Sequence, residues 1–497
     1  MKADPSPSTV GDAAPSSISH KRNDNKLIAI APWPSMLQGS PKEQEAFAFF
    51  QERTNLQLSG FYACDFWNRA ILQAAQQDNG IRHAIVALAS VHRAFEETGE
   101  AGTDAFALQQ YQLAIGKHLK DLSDDKSYKD VKSLESYLAS SMLFICIEML
   151  QLHFESTLAL LRGAVKMLDE SIKSRRRGKH ALHFSCLPRT VLLITFADSA
   201  YPIHALEALL GRLQGQTIGL MGREALGTTI PSHVKPLSSP PMPDSFSSLA
   251  EARNVLDYFA YTAAVTTPID QAHGLIETVE ISAEYMSFHQ YQFDSWCSAF
   301  DNLLASLDED SLSLRDQQAL TVLKIRKTMC SLVMNVPFKM KFNFDDQLMW
   351  DDYTAVFDDI VTMAELVVSR QKIGSSTQIF TWDYGIIASV YEIALLCRDP
   401  HIRRRAVSLL RDNPMKEGIW DSQIAGRAAE LAVHMEESGA PGPVKMAADV
   451  PRSARMANMF TTWKSESRKA YVVFSKKYVR DVKDVPVDGR CSGWISW

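Results

Sequence analysis

At 497 residues, with 46% apolar and 22% charged side chains, the chain is ordinary globular material with ample apolar surface to bury, which excludes a wholly disordered chain. A net charge of −6 is small for this length and excludes a whole-chain field that attracts nucleic acid. Length alone equals about three domains, although an all-helical body can run long as one unit.

The seven cysteines, Cys64, Cys146, Cys186, Cys297, Cys330, Cys397 and Cys491, are scattered, with no Cys-x-x-Cys pair. Their mostly apolar, helical surroundings predict reduced, buried thiols in an intracellular protein. The first residues carry no signal-peptide core. The longest apolar run, near Tyr137 to Leu150, is interrupted by Ser140, Ser141 and Glu148 and is expected to be too short for a bilayer.

From Met1 to about Gln38 the chain is rich in Pro, Ser, Ala and Asp, so a disordered tail is expected over 1–39. Lys21, Arg22 and Lys26 there form either a nuclear import signal or, more simply, part of a solvated tail. Order should begin at Ser40, where "SPKE" supplies an N-cap serine, a first-turn proline and Glu43 for a capping box. Phe47, Phe49 and Phe50 give that helix an aromatic side. A second helix is expected from an Asp65 N-cap through Phe66, Ala70 and Leu72 to a turn at Asn79-Gly80.

In "NGIRHAIVALASVHRAFEE" the apolar positions Ile81, Ile85, Leu88, Val91 and Phe95 step by four, three, three and four, one face of a helix. Another helical segment covers Tyr111 to Leu119. Two more follow closely, one carrying Leu138, Met142, Ile145 and Met149, the next Leu158, Leu161, Val165 and Leu168, and they should pack antiparallel. "SIKSRRRGKHALH", Ser171 to His183, is the strongest basic run; it reads as a phosphate contact, an import signal or, most simply, a solvated loop. His180, His183 and Cys186 are spaced by three, but no fourth ligand lies nearby, and no metal site is assigned.

A further helix is expected over Pro188 to Leu210, interrupted at Pro202. Gly211, Gly215, Gly219, Gly222 and Gly227 then follow without a phosphate-loop ending or a preceding strand, so they fit neither nucleotide motif. Pro and Ser from Thr228 to Ser248 mark a loop. Helical patterns resume with Val255, Leu256 and Phe259, then Trp296, Phe300, Leu303 and Leu304, then Leu314 to Val336, stopped by Pro337.

Asp345, Asp346, Asp351 and Asp352 precede a stripe of Val356, Ile360, Met363 and Val367, a helix-start signal. Paired aspartates on an all-helical body also require a test for magnesium and diphosphate chemistry, which needs a third carboxylate three residues on. Met349, Ala355 and Thr362 occupy that place after Asp345-Asp346, Asp351-Asp352 and Asp358-Asp359, so each ligand set is incomplete. No Gly-x-Ser-x-Gly elbow appears either.

From Ile379 to Ser438 three helices are expected. The first carries Tyr384, Ile387, Val390, Tyr391 and Leu395; the second opens at Asp399-Pro400 and stops at Asn413-Pro414; the third runs from about Lys416 to Met435. Arg403, Arg404 and Arg405 cannot all share one helix face, so salt bridges within a helical layer explain them better than a basic patch. Trp420 reads as a core anchor rather than a ligand-stacking group. After Ser438 a loop leads to "KAYVVFSKKYVRDV", one short hairpin strand or a packed extended tail, before Cys491, Trp494 and Trp497. The fold class is therefore all-α: a multi-helix body of packed antiparallel helices over 40–438, with a loop near 228–248, and a C-terminal tail over 439–497 containing a short extended segment.

Two blocks carry a resemblance. "FYACDFWNRAILQAAQQDNGIRHAIVALASVH", "ALQQYQLAIGKHL" and "MLFICIEMLQLHFESTLALLRGAVKML" occur in that order, and later Cys397-Arg398-Asp399-Pro400, Ile402 to Ala406, Leu409-Leu410 and Glu417 to Asp421. Together they resemble the regulatory, or middle homology, region of fungal zinc-cluster transcription factors, over about Phe47 to Glu437. The resemblance implies a helical region that regulates, dimerises or contacts partners, a nuclear location, and control of a metabolic or biosynthetic gene set. Partners would be the transcription machinery or another regulator, a homodimer, and DNA indirectly or through another module, with no membrane. In that family the DNA reader is a separate N-terminal module with six cysteines around two zinc ions. The residues before Cys64 contain no cysteine, so no zinc ligand or base-contacting residue transfers, zinc is expected only with an upstream six-cysteine module, and DNA-binding residues are unknown. Catalytic, cofactor and metal residues: none is assigned. The alternatives are an adaptor or effector-binding protein acting through other regulators, and a helical metal-dependent prenyl-diphosphate enzyme.

Overall fold

The start of the ordered body follows its capping chemistry. In the computed structural model the described residues are 39–62, 64–102, 104–123, 131–177, 203–226, 241–266, 283–335, 347–372, 378–464, 468–476 and 490–496, all within one compact unit, Gly39–Trp497. The capping box forms at Ser40: its N–H donates to Glu43 Oε2 at 2.7 Å, and its hydroxyl accepts from the Glu43 N–H. Helix α1 (Pro41–Phe49) then continues through a wider π turn, Phe50–Thr54, into α2 (Asn55–Leu58).

Asp65 does not cap the next helix. Its backbone is already helical and its carboxylate turns to Arg69 one turn on, so α3 (Ile71–Gln77) is entered through a π turn, Phe66–Ala70, without a side-chain cap. The expected Asn79-Gly80 turn contracts to the single extended residue Asp78. Its Oδ1 accepts from the Gly80 and Ile81 N–H groups at 2.7 and 3.3 Å, which makes Asn79 the first residue of α4 (Asn79–Thr98). A good N-cap acceptor outcompetes an Asn-Gly turn when an amphipathic helix follows at once.

The α4 stripe is buried along its whole length: Ile81, Ile85, Leu88, Val91 and Phe95 are all core residues. Each such side chain contributes about 1.5–3 kcal/mol through burial. Helices α5 (Ala105–Ser123) and α6 (Val131–Leu150) pack against α4, and α7 (Phe154–Arg177) folds back along α6 across the link 151–153. Contrary to the expectation, α6 does contain a segment long and apolar enough to cross a bilayer, Ser133–Leu150. It is the only one among the described residues, and 83% of it is buried inside the protein. Glu135 and Glu148 are buried within it, and Tyr111 Oη donates to Glu148 at 2.6 Å.

Helix α8 (Ile203–Met221) runs eleven residues past its expected end at Leu210. Gly211 and Gly215 lie one turn apart against Tyr261 of α9 (Leu249–Thr266), where a Cβ would meet the ring or backbone at 3.6–3.8 Å. These glycines are close-approach positions for helix packing, and Gly222, at φ 81°, ends the helix. Trp296 of α10 (Ala283–Ser306) donates Nε1–H to Ala252 O at 2.9 Å, and α11 (Leu314–Asn335) packs on both α9 and α12 (Thr354–Lys372). The α12 stripe is wider than expected, adding buried Phe357, Val361, Ala364 and Val368.

The Ile379–Ser438 block is not three bare helices. β1 (Ile379–Thr381) pairs parallel with β2 (Met415–Glu417), which pairs antiparallel with β3 (Trp420–Asp421). Tyr384 therefore precedes α13 (Ile387–Leu396), and Lys416 lies in a strand. Asp399 and Pro400 open α14 (Pro400–Arg411) as expected, but α15 (Ser422–Ser438) starts at the Asp421 cap. Strands this short carry no periodicity that a sequence reading can find.

The C-terminal extended segment is a full antiparallel sheet: β4 (Asn458–Lys464), β5 (Lys469–Ser475) and β6 (Arg490–Ser496), with β5 central and β6 against α15. Among the described cysteines, all free, only Cys146 and Cys397 are fully buried; Cys64, Cys297, Cys330 and Cys491 are half-buried, a correction to the expected buried set. Lys21, Arg22, Lys26, His180, His183, Cys186, Pro202, residues 228–240, Pro337, Asp345, Asp346 and Trp497 lie outside the described residues.

Candidate functional site

The segment Trp382–Gly385, between β1 and α13, is where the helical layers meet. Trp382 is fully buried, stacks obliquely on Trp67 and donates its Nε1–H to Leu209 O at 3.0 Å. Gln216 of α8 donates to Trp382 O at 3.1 Å and accepts the Ile419 N–H at 3.2 Å. Gly418, at φ 56°, touches the same amide: a Cβ there would stand 1.7 Å from Gln216 Oε1. Gly418→Ala is expected to lower stability by about 1–3 kcal/mol from backbone strain, with the displaced Gln216 adding to it. A chemical melt of the variant measures it.

Asp383 holds a buried charge network. Its Oδ1 accepts from Arg212 Nη1 at 2.7 Å and from Arg253 Nη1; Arg212 Nε donates to Asp257 Oδ2 at 2.6 Å, and Arg326 Nη2 pairs with Asp257 Oδ1 at 2.7 Å. Arg253 lies over the Tyr62 ring and Arg326 over the Tyr384 ring, at 4.4 and 5.0 Å. Burial opposes charge on Asp257, but Arg326, Arg212 and Arg253 outweigh it and hold its carboxyl below the usual range. Three guanidiniums face two carboxylates, so the network carries one excess positive charge.

Beside it, Glu417 accepts from the Gly385, Ile386 and Ile387 N–H groups at 3.2, 2.9 and 2.8 Å, capping α13 from another strand. Burial still pushes its carboxyl up to about 7. On α13 itself, Glu392 is exposed, and among the described residues it forms no hydrogen bond or ion pair. Desolvation by the neighbouring protein nonetheless pushes its carboxyl up to about 7. A carboxyl raised on folding favours the protonated native state. Its contribution is full below the ordinary value of about 4.5 and is lost as pH rises towards 7. Glu392→Gln is expected to flatten that slope by about 1 kcal/mol, after discounting for its solvent access, when urea midpoints at pH 5 and pH 8 are compared.

A second network joins α14 and α15. Glu436 accepts from Arg398 at 2.9 Å, from Arg403 at 2.5 Å and from the Met456 N–H at 2.6 Å. Arg404 pairs with Glu437, and Arg405 with Glu365 and Asp358, so the three arginines are spent on ion pairs, as expected. Asp351, from the aspartate pair tested for metal binding, receives both Arg455 Nη atoms at 2.7 and 2.8 Å. Among the described residues no group of three His, Cys, Asp or Glu side chains could hold a metal. Trp420 is buried against Tyr391, ring centroids 5.5 Å apart, in the core-anchor role.

The sequence reading missed Arg212, Arg253, Asp257, Arg326 and Asp383. One signal was available: Arg253 and Asp257 are one turn apart and flank the apolar pair Val255-Leu256, an unusual place for two charges.

These features define a large helical body whose helical layers are held together by buried ion pairs and hydrogen bonds. The chain is distantly homologous to a fungal cluster-specific transcription regulator. It is 24% identical over 498 residues to the aspercryptin biosynthesis cluster-specific transcription regulator atnN of Emericella nidulans, an alignment that covers 82% of this chain and 77% of that protein. No protein-family model matches the chain, and no solved structure matches it.

Proposed function

We propose that the chain is a transcription regulator of the fungal zinc-cluster type, working in the nucleus through its helical body on a metabolic or biosynthetic gene set. The observation that carries this reading is the 24% identity across 82% of the chain to a cluster-specific regulator. The ion-paired arginines and aspartates support it, because groups that a catalytic or metal site would use are committed to holding helices together. The body contacts protein partners, another regulator or a second copy of itself, and is not an enzyme. Its boundaries are the helical residues 40–438, with the C-terminal sheet docked on α15.

The test is to tether the full chain to a heterologous DNA-binding domain upstream of a reporter, and to compare transcripts with and without the chain in its native host. A several-fold reporter change, with coordinated change in a set of native transcripts, is expected. An inert tethered chain together with an unchanged transcript profile would overturn the reading.

A further inference from the structure

Helix α5 packs on α4 with one side, and reaches α6 through Tyr111, whose ring lies 5.4 Å from that of Phe144, and through His118, stacked on Tyr137 at 4.7 Å. Its other side faces water, yet carries Leu108, Leu113 and Leu119, which are 48%, 46% and 57% exposed. No other described helix exposes more than two large apolar side chains. Leu108, Gln112, Ile115 and Leu119 step by four, three and four, the seam spacing of a helix that packs on another helix. Ile115 is half-buried and the other three are exposed.

Gly116 lies on that outer side, among the leucines. Glycine weakens a helix interior relative to alanine, and no internal contact repays it here: a Cβ at this position would meet no atom within 4 Å. The space it leaves opens outward. The residues on either side of Gln112 define what fills it. Leu108 and Gly116 stand four residues from Gln112, Ala105 and Leu119 seven, and Asp104 and Lys120 eight, and all six are exposed. Each pair sets a large side chain against a small one, or an acid against a base.

Two copies of α5 laid antiparallel about a two-fold axis at Gln112 bring these pairs level across the contact. Leu108 enters the space beside Gly116 of the second copy, Leu119 comes level with Ala105, and Lys120 with Asp104. The two Gln112 amides meet at the axis, where each has a donor and an acceptor for the other. A parallel pair would instead set leucine level with leucine, glycine with glycine and like charge with like charge. We propose that a second copy of this chain docks on this face, α5 against α5 antiparallel, to form a two-fold homodimer. A single helix pair buries less than the roughly 1,600 Å² of standard stable interfaces, so a dissociation constant in the micromolar range is expected. The dimer deepens the regulatory reading, on which its use in transcription rests, by naming one partner and the surface it takes. It is measured as mass, so it can fail while the reporter test succeeds, and the reverse.

The experiment is sedimentation equilibrium of the purified full chain across micromolar concentrations, as the parent, Gly116→Arg and Gln112→Cys. The parent should distribute between monomer and dimer. Gly116→Arg fills the outward space and meets nothing inside the chain, so it should weaken the dimer at least tenfold with a melting curve at or above the parent's. Gln112→Cys, treated with a short bismaleimide, should yield a dimer joined at position 112 of both copies, as read by peptide mass spectrometry. A parent that stays monomeric throughout, a dimer that Gly116→Arg leaves unchanged, or a dimer that does not cross-link at position 112 overturns the proposal. A monomeric parent whose reporter activity is lost in Gly116→Arg also overturns it, and assigns the face to another protein's helix.

Discussion

Asp383→Ala is expected to lower stability by about 3–5 kcal/mol, enough to unfold most domains of ordinary stability. The cost does not come from the small volume removed. It comes from Arg212 and Arg253, both 4% exposed at the side chain, which would lose the carboxylate between them and face each other in the core. Asp257 compensates only in part, because Arg212 Nε and Arg326 already occupy it and Arg253 Nε stands 3.9 Å from its Oδ2. Asp383→Asn keeps the shape and one acceptor but not the charge, so it should cost less than alanine and more than a surface change. Asp352→Ala, at an exposed neighbour of the ion-paired Asp351, should stay within about 0.5 kcal/mol. Urea midpoints at unchanged slope measure all three. If Asp383→Ala matched Asp352→Ala, the network would not hold the layers together.

How much of this was legible depends on whether the signal was local. The Ser40 capping box, the Ile81 to Phe95 stripe and the Asp399-Pro400 helix start were readable, because spacing and caps act within a few residues. The ion pairing of Arg403 to Arg405 followed from helix geometry alone. Asp383 and Arg212 are 171 residues apart, and no local rule couples them. The end of α8 was missed for a related reason. Gly211 and Gly215 lower helix propensity locally, and only the Tyr261 face of α9 rewards them for staying helical. The C-terminal sheet was underread because β6 joins β5 from beyond residues 477–489, so the central strand seemed to have a single neighbour.

The second large effect is expected at Glu436. One carboxylate serves two guanidiniums and a backbone N–H, with Arg398 and Arg403 fully buried, so Glu436→Ala strands two charges at once and should also cost about 3–5 kcal/mol. Glu436→Gln supplies a similar shape without the charge and should cost roughly half as much at neutral pH. The two are separated by acid. Burial opposes the charged form of Glu436, but Arg398 and Arg403 prevail and hold its carboxyl below the usual range. Its contribution is thus present above the ordinary carboxylate value and lost as pH falls through the lowered one. The gap between parent and Glu436→Gln should therefore be widest at neutral pH and narrow as pH falls through the lowered carboxyl value. A gap that stayed constant all the way down to acid unfolding would mean that shape, not charge, decides the site. Because the Met456 N–H leads directly into β4, the same variants should loosen the C-terminal sheet first, and faster amide exchange in β4 and β5 than in α4 would locate the opening there.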